Sequence, residues 1–268
     1  MPERIDTARV EAELVGPVRG PVVWASEVGS TNDLVAMRAR AGAAEGLVIG
    51  ADFQTQGRGR RGRVWEASPG DAVLFSVLLR PSRMGHDVRL LPIVAAVGVA
   101  EGLAELGASV GLVWPNDLTV DGKKLGGILC ELSSVGQELA WAVVGVGINV
   151  RTSPALAAGR WEPTSLAEVL GAPPARDLVL AATLRGLGTW FGRWYEDGNT
   201  AVLGAFAARD VLSGRTVCIT AGEYTLSGVA VGLDSTGALQ VRRASGEVVA
   251  ISSGEVTGVD ATGPRFRA

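Results

Sequence analysis

The chain has little of the residue types on which many kinds of site depend. Its 268 residues include one histidine, His86, and two cysteines, Cys130 and Cys218. A single histidine excludes a His-rich metal site and argues against a Ser-His-Asp triad. The two cysteines lie far apart in apolar runs, which indicates reduced core residues rather than a disulfide framework. We therefore expect no metal-ligand set, and chemistry that uses arginine, lysine, aspartate and backbone amides.

Long apolar runs are also lacking. No stretch of about 20 apolar residues is free of glycine, proline and charge, and residues 1–20 mix acids and bases without the apolar segment of a secretory signal. The net charge is −3, so no general excess of positive charge points to nucleic acid. These absences predict a cytoplasmic protein with neither a nucleic-acid nor a membrane partner.

The most informative segment that is present runs from Gly57 to Arg63 and holds four arginines and three glycines. Glycine costs entropy to order, and the clustered guanidiniums repel each other until an anion arrives. The segment lies between two strand-like runs, which favours a loop that closes on an anionic ligand. A nucleic-acid-binding tail or a solvated surface is the alternative interpretation.

Patterning along the chain predicts a large α+β domain followed by a small all-β domain. We assign residues 1–20 to an N-terminal segment, 21–212 to the large domain, which is the one expected to hold the site, and 213–268 to the C-terminal domain. The expected strands of the first domain are 21–25, 47–54, 72–79, 110–114, 124–132 and 139–150, the last apolar on both faces and therefore central. Helices are expected after the capping residues 30–33 and at 90–106, 165–170, 176–195 and 200–212. Five short strands from 216 to 259 predict a small barrel.

A second distinctive segment is Trp114-Pro115-Asn116-Asp117. Pro115 ends a strand, and a turn at Asp121-Gly122 would return Lys124 to the same place. Gly126 and Gly127 within the next apolar strand imply close approach by a ligand or by another backbone. An ordinary hairpin with solvated lysines remains the alternative.

The third segment contains alternate glycines, Gly145 and Gly147, in the strand expected at the centre of the sheet. Alternate glycines leave one face of a strand without side chains, which would form a slot for a flat ligand. No third glycine and no helix follow, so this is not a dinucleotide fingerprint. Glycine tolerated for sheet packing explains the pattern equally well.

Together these segments resemble a known family. Ser30-Thr31-Asn32, the loop from Gln54 to Trp65, Trp114 to Asp117, Lys124 to Ile128 and Gly145 to Asn149 occur in the order and spacing of the biotin protein ligases, over nearly all of residues 21–260. The resemblance is to the monofunctional type without an N-terminal DNA-binding domain, since only about 20 residues precede the first strand. It implies a mixed β-sheet flanked by helices, like the class II aminoacyl-tRNA synthetases, and a C-terminal SH3-like barrel.

The resemblance also implies a reaction. Biotin and Mg·ATP would give biotinyl-5′-AMP, and the biotin would pass to one lysine of a biotin carboxyl carrier domain, with no tightly bound cofactor. The catalytic residues implied are Lys124, Arg60 and Asp117. Those implied for biotin are Ser30, Thr31, Asn32, Gln54, Gly57, Arg58, Arg60, Lys124, Gly127, Gly145 and Gly147. Those implied for the nucleotide are Arg58, Arg60, Arg61, Arg63, Trp65, Asn116, Asp117, Lys124 and Asn149, with Trp65 on the adenine side.

One departure and two rival interpretations accompany the resemblance. Family members usually carry a basic residue where this chain has Val113, which affects one polar contact near the nucleotide. A lipoate ligase or octanoyltransferase has a similar catalytic fold, but the full arginine loop and the C-terminal barrel favour biotin. A non-enzymatic nucleic-acid-binding protein is the remote alternative, which the acidic balance opposes.

Overall fold

A computed structural model describes residues 3–80, 88–135, 138–154 and 161–260, and His86 lies outside these ranges. The helices are α1 (Thr7–Ala12), α2 (Thr31–Arg40), α3 (Leu91–Glu105), α4 (Leu166–Leu170), α5 (Arg176–Asp197) and α6 (Asn199–Ala207). The strands are β1 (Val22–Ala25), β2 (Val48–Ala51), β3 (Ala72–Leu79), β4 (Gly111–Val113), β5 (Asp117–Val120), β6 (Lys123–Val135), β7 (Glu138–Asn149), β8 (Thr216–Ala221), β9 (Tyr224–Leu233), β10 (Leu239–Arg242), β11 (Val248–Ile251) and β12 (Glu255–Val259).

The first seven strands form one mixed sheet in the order β1-β2-β3-β7-β6-β5-β4. Only β1 and β2 run parallel; the other neighbours are antiparallel. The strand β7 stands in the middle, as its apolar pattern predicts, because a strand covered on both faces needs apolar residues on both. In this register Gly145 lies between Ser76 of β3 and Leu129 of β6.

Helices cover both faces of this sheet. The larger hydrophobic core packs α3 and α5 against one face, and a smaller cluster packs α2 against the other. Small residues allow α3 and α5 to approach closely, since a Cβ on Gly102 would come within 2.2 Å of the backbone oxygen of Ala182. The helix α3 is buried nearly all round, as its apolar sequence predicts.

The C-terminal strands form a five-stranded antiparallel sheet in the order β11-β10-β9-β8-β12. All five lie where the short apolar runs predict them. The sheet is tied to the larger domain beside the Trp-Pro-Asn-Asp segment, where the Trp114 indole N–H donates to the backbone oxygen of Gly237 at 3.0 Å. The position of this contact brings the small domain next to the residues expected to form the site.

Three local expectations were wrong or incomplete. The helix α1 was not expected, β5 was not recognised as a strand, and α6 ends at Ala207 rather than at residue 212. A helix as short as α1 is not stable by its own propensity. Since Val10 is its one buried residue, it also has no apolar periodicity that would predict it from the sequence. The exact domain limits stay a prediction. No helix in the described part of the chain has the length and hydrophobicity needed to cross a membrane.

Candidate active site

A cavity of about 130 Å³ lies on the face of the large sheet that α2 occupies, under the arginine loop. It is bordered by β3, β7 and β6, by the beginning of α2 and by the first residues of β12. Most residues expected at the site line it: Ser30, Thr31, Asn32, Gln54, Arg58, Arg60, Arg61, Arg63, Trp65, Asn116, Asp117, Lys124, Gly127, Gly145 and Gly147. Segments separated by more than 100 residues in sequence therefore meet at one place.

One end of the cavity is a buried hydrogen-bonded cluster. The Gln54 side-chain oxygen accepts from the Thr31 backbone N–H at 2.7 Å and from the Thr31 hydroxyl at 3.1 Å. The Ser76 hydroxyl lies 2.7 Å from Thr31 Oγ1 and donates to Asn32 Oδ1 at 2.6 Å. Buried polar groups are costly unless they are paired, so this cluster fixes the first turn of α2 in one arrangement.

Alternate glycines form one wall of the cavity. A Cβ on Gly145 would lie 2.2 Å from Asn32 Oδ1, and a Cβ on Gly147 would lie 2.7 Å from the Trp65 ring. Neither position has room for a side chain, because Asn32 lies against Gly145 and Trp65 lies against Gly147. The ligand slot stays a prediction. The Trp65 ring covers Gly147 and reaches Gly127, so it lies over the slot glycines, whereas the resemblance assigned it to the adenine side. Its indole nitrogen is buried without a hydrogen-bond partner among the described residues.

The arginine loop is a tight hairpin. Arg58 pairs with Val64 in an antiparallel bridge, the Gly59 N–H donates to the Arg63 backbone oxygen at 2.8 Å, and the Trp65 N–H donates to the Gly57 oxygen at 3.0 Å. The tip turns through Arg61 and Gly62, which both have positive φ. Gly62 at the tip is suited to its positive φ, and Gly57 at the stem has no room for a side chain, since a Cβ there would lie 2.6 Å from the Trp65 backbone oxygen.

Two cations converge at the mouth of the cavity. Lys124 Nζ lies 2.7 Å from Asp117 Oδ1, because the turn at Asp121 and Gly122 returns β6 beside β5. Arg60 donates to neutral oxygens, of the Gly254 backbone at 3.2 Å and of the Asn116 side chain at 3.4 Å. Burial, with a smaller contribution from Arg61, lowers the pKa of the Arg60 guanidinium. An anion placed here would offset the cost of that burial.

Arg58 and Arg63 differ from the expectation that the loop arginines repel one another until an anionic ligand binds. Arg58 is paired with Asp33 and Glu131, and Arg63 is paired with Glu255 of the C-terminal domain. Hydrogen bonding to Asp33 and the charge of Glu131 raise the pKa of Arg58. Carboxylates of the protein itself therefore offset part of the repulsion that the sequence suggested would keep the empty loop open.

Two of the expected residues do not line the cavity. Gly57 is buried behind it, where a Cβ would come within 2.6 Å of the Trp65 backbone oxygen. Asn149 is also buried, and its amide donates to the backbone oxygen of Thr164 at 3.0 Å. Since the Thr164 N–H donates to the Lys124 backbone oxygen at 2.8 Å, Asn149 supports the segment beside Lys124. Val113 is 1% exposed and belongs to the hydrophobic core.

Sequence reasoning missed Ser76, Glu255, Asp33 and Glu131. Ser76 is the only polar residue within the strand Ala72–Leu79 and is fully buried, so the pattern held a signal for it. The three carboxylates carry no local signal, because their partners are between 25 and 192 positions away. Among the described residues, no group of three His, Cys, Asp or Glu side chains could hold a metal ion.

The arrangement defines a class of site. A slot walled by glycine and an aromatic ring, with polar groups at one end and two cations at its mouth, suits a ligand with a flat polar head and an anionic tail. The cations are also placed to hold a second anion against the first. Proteins that join a carboxylate to a nucleotide need this combination.

Comparison with known proteins agrees with that class. Residues 25–149 match the model of the Biotin/lipoate A/B protein ligase family, and residues 212–257 match the Biotin protein ligase C terminal domain. The biotin–[acetyl-CoA-carboxylase] ligase of Mycobacterium tuberculosis is 31% identical over 263 residues, covering 94% of this chain and 95% of that protein. The chain belongs to the biotin protein ligase family.

Other relatives match over different lengths. The bifunctional ligase/repressor BirA of Bacillus subtilis is 34% identical over 155 residues, which is 57% of this chain and about half (48%) of that protein. Among solved structures, the biotin protein ligase from Aquifex aeolicus in complex with biotin and ATP superposes with a TM-score of 0.76 at 31% identity. That match covers 87% of this chain and 96% of the Aquifex chain.

Proposed function

We propose that this protein activates biotin with ATP to biotinyl-5′-AMP and then transfers the biotin to one lysine of a biotin carboxyl carrier domain. The observation that carries the proposal is the convergence of Arg60 and Lys124 on a glycine-walled slot whose far end is the Thr31–Gln54 cluster. Relatives named as biotin ligases, and a neighbour solved with biotin and ATP, supply the substrate class.

The polar end of the slot suits the ureido ring of biotin. A ureido group carries two N–H donors and one carbonyl acceptor, so it needs both acceptors and donors in one plane. The backbone and side chains of Ser30, Thr31, Asn32 and Gln54 offer both kinds, and Ser76 holds two of them in position. The glycine wall of Gly145 and Gly147 and the Trp65 ring then enclose the apolar part of the ligand.

Adenylation joins two anions. A carboxylate oxygen of biotin attacks the α-phosphorus of ATP, the acyl–phosphate bond forms, and the bond to pyrophosphate breaks. Lys124 and Arg60 offset the repulsion between the anions and the charge that develops at phosphorus. Asp117 orients the Lys124 ammonium through their 2.7 Å contact, so its role is to position this cation.

The nucleotide side is assigned to Asn116, Asp117, Arg61 and Arg63, all of which line the cavity. Arg63 pairs with Glu255 of the C-terminal domain. Mg²⁺ enters as part of the Mg·ATP substrate. Asn149 is proposed to act through the Thr164 segment that contacts the Lys124 backbone. We also propose that Trp65 packs on the biotin side of the adenylate, which its position over Gly147 supports.

Transfer requires protection from water, because the mixed anhydride is easily hydrolysed. The arginine hairpin covers the cavity and lowers the access of water to the acyl carbon. The amine of the carrier lysine attacks that carbon, the amide bond forms, and AMP leaves. A cytoplasmic location is proposed with this partner, consistent with the two free cysteines.

The test is biotin-dependent exchange of labelled pyrophosphate into ATP. Exchange is expected with biotin and is expected to be much weaker with lipoate or octanoate. Lys124→Met should lower the exchange rate about 10²-fold, the usual effect of losing one charge-stabilising donor. Lys123→Met is the matched control, because Lys123 is more exposed and lies 3.7 Å from Glu162 outside the cavity; it should change the rate less than about twofold. Equal exchange with lipoate, or none with any acid, would refute the assignment.

A further inference from the structure

The structure gives Arg58 a set of contacts that the proposed reaction does not use. Its Nη1 donates to Asp33 Oδ2 at 2.8 Å, and its Nη2 donates to Asp33 Oδ1 at 2.7 Å and to Glu131 Oε1 at 3.0 Å. Asp33 is in the first turn of α2, and Glu131 is in the middle of β6. We name these three side chains the Arg58 clasp. The clasp joins the arginine loop to two different elements of the catalytic domain.

The geometry of the clasp is that of a strong ion pair at an accessible position. Asp33 accepts from both ends of the guanidinium, a bidentate arrangement that fixes direction as well as distance. The side chains of Arg58, Asp33 and Glu131 are 39%, 52% and 35% exposed. Because solvent reaches all three, salt should weaken the clasp, as it does other exposed pairs.

The clasp acts on the stem of the loop rather than on the reacting atoms. Arg58 pairs with Val64 across the hairpin, and Arg60 follows only two residues later. Asp33 directly follows Asn32, whose side chain belongs to the polar end of the slot. A loop held at Arg58 therefore keeps a defined position relative to both ends of the cavity.

Arg58 and Arg60 consequently differ in role. The two terminal nitrogens of Arg58 already donate to carboxylates, whereas Arg60 donates to the neutral oxygens of Asn116 and Gly254. An anionic ligand gains more from Arg60, since it would have to displace two carboxylates to reach Arg58. The role of anion ligand that the family resemblance gave to Arg58 is thus better assigned to Arg60.

We propose that Asp33 and Glu131 are positioning residues that hold the arginine loop closed through Arg58, and so set how long the activated acyl-adenylate stays in the site. The retention of the acyl-adenylate rests on the proposed function. The closure of the empty loop does not, because it is independent of which acid is activated. The Arg63–Glu255 pair supports the other side of the same hairpin, so loss of the clasp should loosen the loop without releasing it entirely.

The experiment compares Glu131→Gln, Asp33→Asn and the double variant with the wild-type chain. Glu131→Gln is the primary variant, because Asp33 also favours the N-terminus of α2 by its charge. Glu131→Asp keeps the charge and should stay nearer to wild type. Glu247→Gln is the matched control: Glu247 is an exposed partner of Arg243 at 3.1 Å in the C-terminal domain.

The first measurement is tryptic cleavage after Arg58 to Arg63 in the protein without ligands. All loop arginines are retained, so cleavage reports opening of the loop. Each single variant should be cleaved about 1.5- to 5-fold faster, the range expected for exposed ion pairs, and the double variant about tenfold faster. Cleavage in Glu247→Gln should match wild type.

The second measurement is the half-life of biotinyl-5′-AMP on the protein after removal of free biotin and ATP. The half-life should shorten by about the same factors, while the single-turnover rate of adenylation changes less than about twofold. Raising salt to about 1 M should shorten the wild-type half-life toward that of the double variant and affect the double variant much less.

The outcomes separate the two proposals. A wild-type chain that forms no adenylate refutes the proposed function, and the cleavage measurement still decides whether the clasp closes the loop. Wild-type cleavage and wild-type half-life in the double variant refute the clasp. Faster cleavage throughout the chain, independent of salt and accompanied by a lower melting temperature, also refutes it, because that result would show only a loss of global stability.

Discussion

Substitution of Gly145 by alanine tests whether the central strand walls the slot. A Cβ at this position would lie 2.2 Å from Asn32 Oδ1 and 3.0 Å from Asn32 Cγ, where ordinary contact begins near 3.4 Å. The amide or the strand must therefore move by about 1.2 Å. Asn32 has little room, because it is 4% exposed and its oxygen accepts from Ser76.

The loss of stability in Gly145→Ala can be worked out from these contacts. Overpacking of a tight interior costs about 1–3 kcal/mol, and a buried polar group that loses its partner costs about 1–3 kcal/mol more. The lower backbone entropy of alanine in the unfolded chain returns about 0.5–1 kcal/mol. We expect Gly145→Ala to lower the free energy of unfolding by about 2–4 kcal/mol. Displacement of Asn32 should also raise the KM for biotin about tenfold or more, the equivalent of one lost hydrogen bond.

The assay combines urea unfolding with the KM for biotin in pyrophosphate exchange. Gly204→Ala is the control, because Gly204 lies in the helix α6 and a Cβ there would have no neighbour within 4 Å. That variant should gain about 0.5–1 kcal/mol and keep the KM of the wild-type chain. Unchanged stability and unchanged KM in Gly145→Ala would contradict the slot and the packing argument together.

Two further predictions concern stability away from the cavity. Arg176 is fully buried, and its Nη1 lies 2.7 Å from Asp52 Oδ1. Either Arg176→Met or Asp52→Asn alone should lower the free energy of unfolding in urea by about 3–5 kcal/mol, because each leaves a buried charge without its partner. The double variant should lose less than the sum of the two, and additive losses would show that the pair is uncoupled. Burial raises the pKa of Asp210 from 3.8 to about 6, against two backbone hydrogen bonds that lower it. Because the pKa of Asp210 is higher in the folded than in the unfolded protein, the free energy of unfolding should fall by up to roughly 3 kcal/mol as the pH rises from 4 to 7. Asp210→Asn should lack this fall, which urea unfolding at several pH values measures. The same pH profile in the variant and the wild-type chain would refute the raised pKa.

Local patterns were sufficient for much of the secondary structure. The five strands of the C-terminal sheet lie at the apolar runs separated by Gly, Ser and Asp, and β7 is central because it is apolar on both faces. The turn at Asp121 and Gly122 also forms where the residue types allow positive φ. In each case the residues that determine the conformation are neighbours in sequence.

The candidate site was predicted from motifs rather than from local periodicity. Its residue types could be read from the motifs, and 15 of the 17 residues expected there line the cavity, with Gly57 and Asn149 behind it. Their individual roles stay predictions. The side-chain partners of Arg58 and Arg63 could not be read from the sequence, because Asp33, Glu131 and Glu255 are ordinary acidic residues in their own segments.

The sequence by itself determined the order of most of the elements, the residue types available to the site and the positions of the glycines in its wall. These features depend on backbone sterics and hydrophobic periodicity, which act over a few residues. Only the tertiary structure decided that carboxylates from α2, β6 and β12 meet the arginine loop, and that Trp65 lies over Gly147. Ion pairs and ring contacts need atoms within about 4 Å, and no local pattern specifies which distant segments the packed sheet brings to that distance.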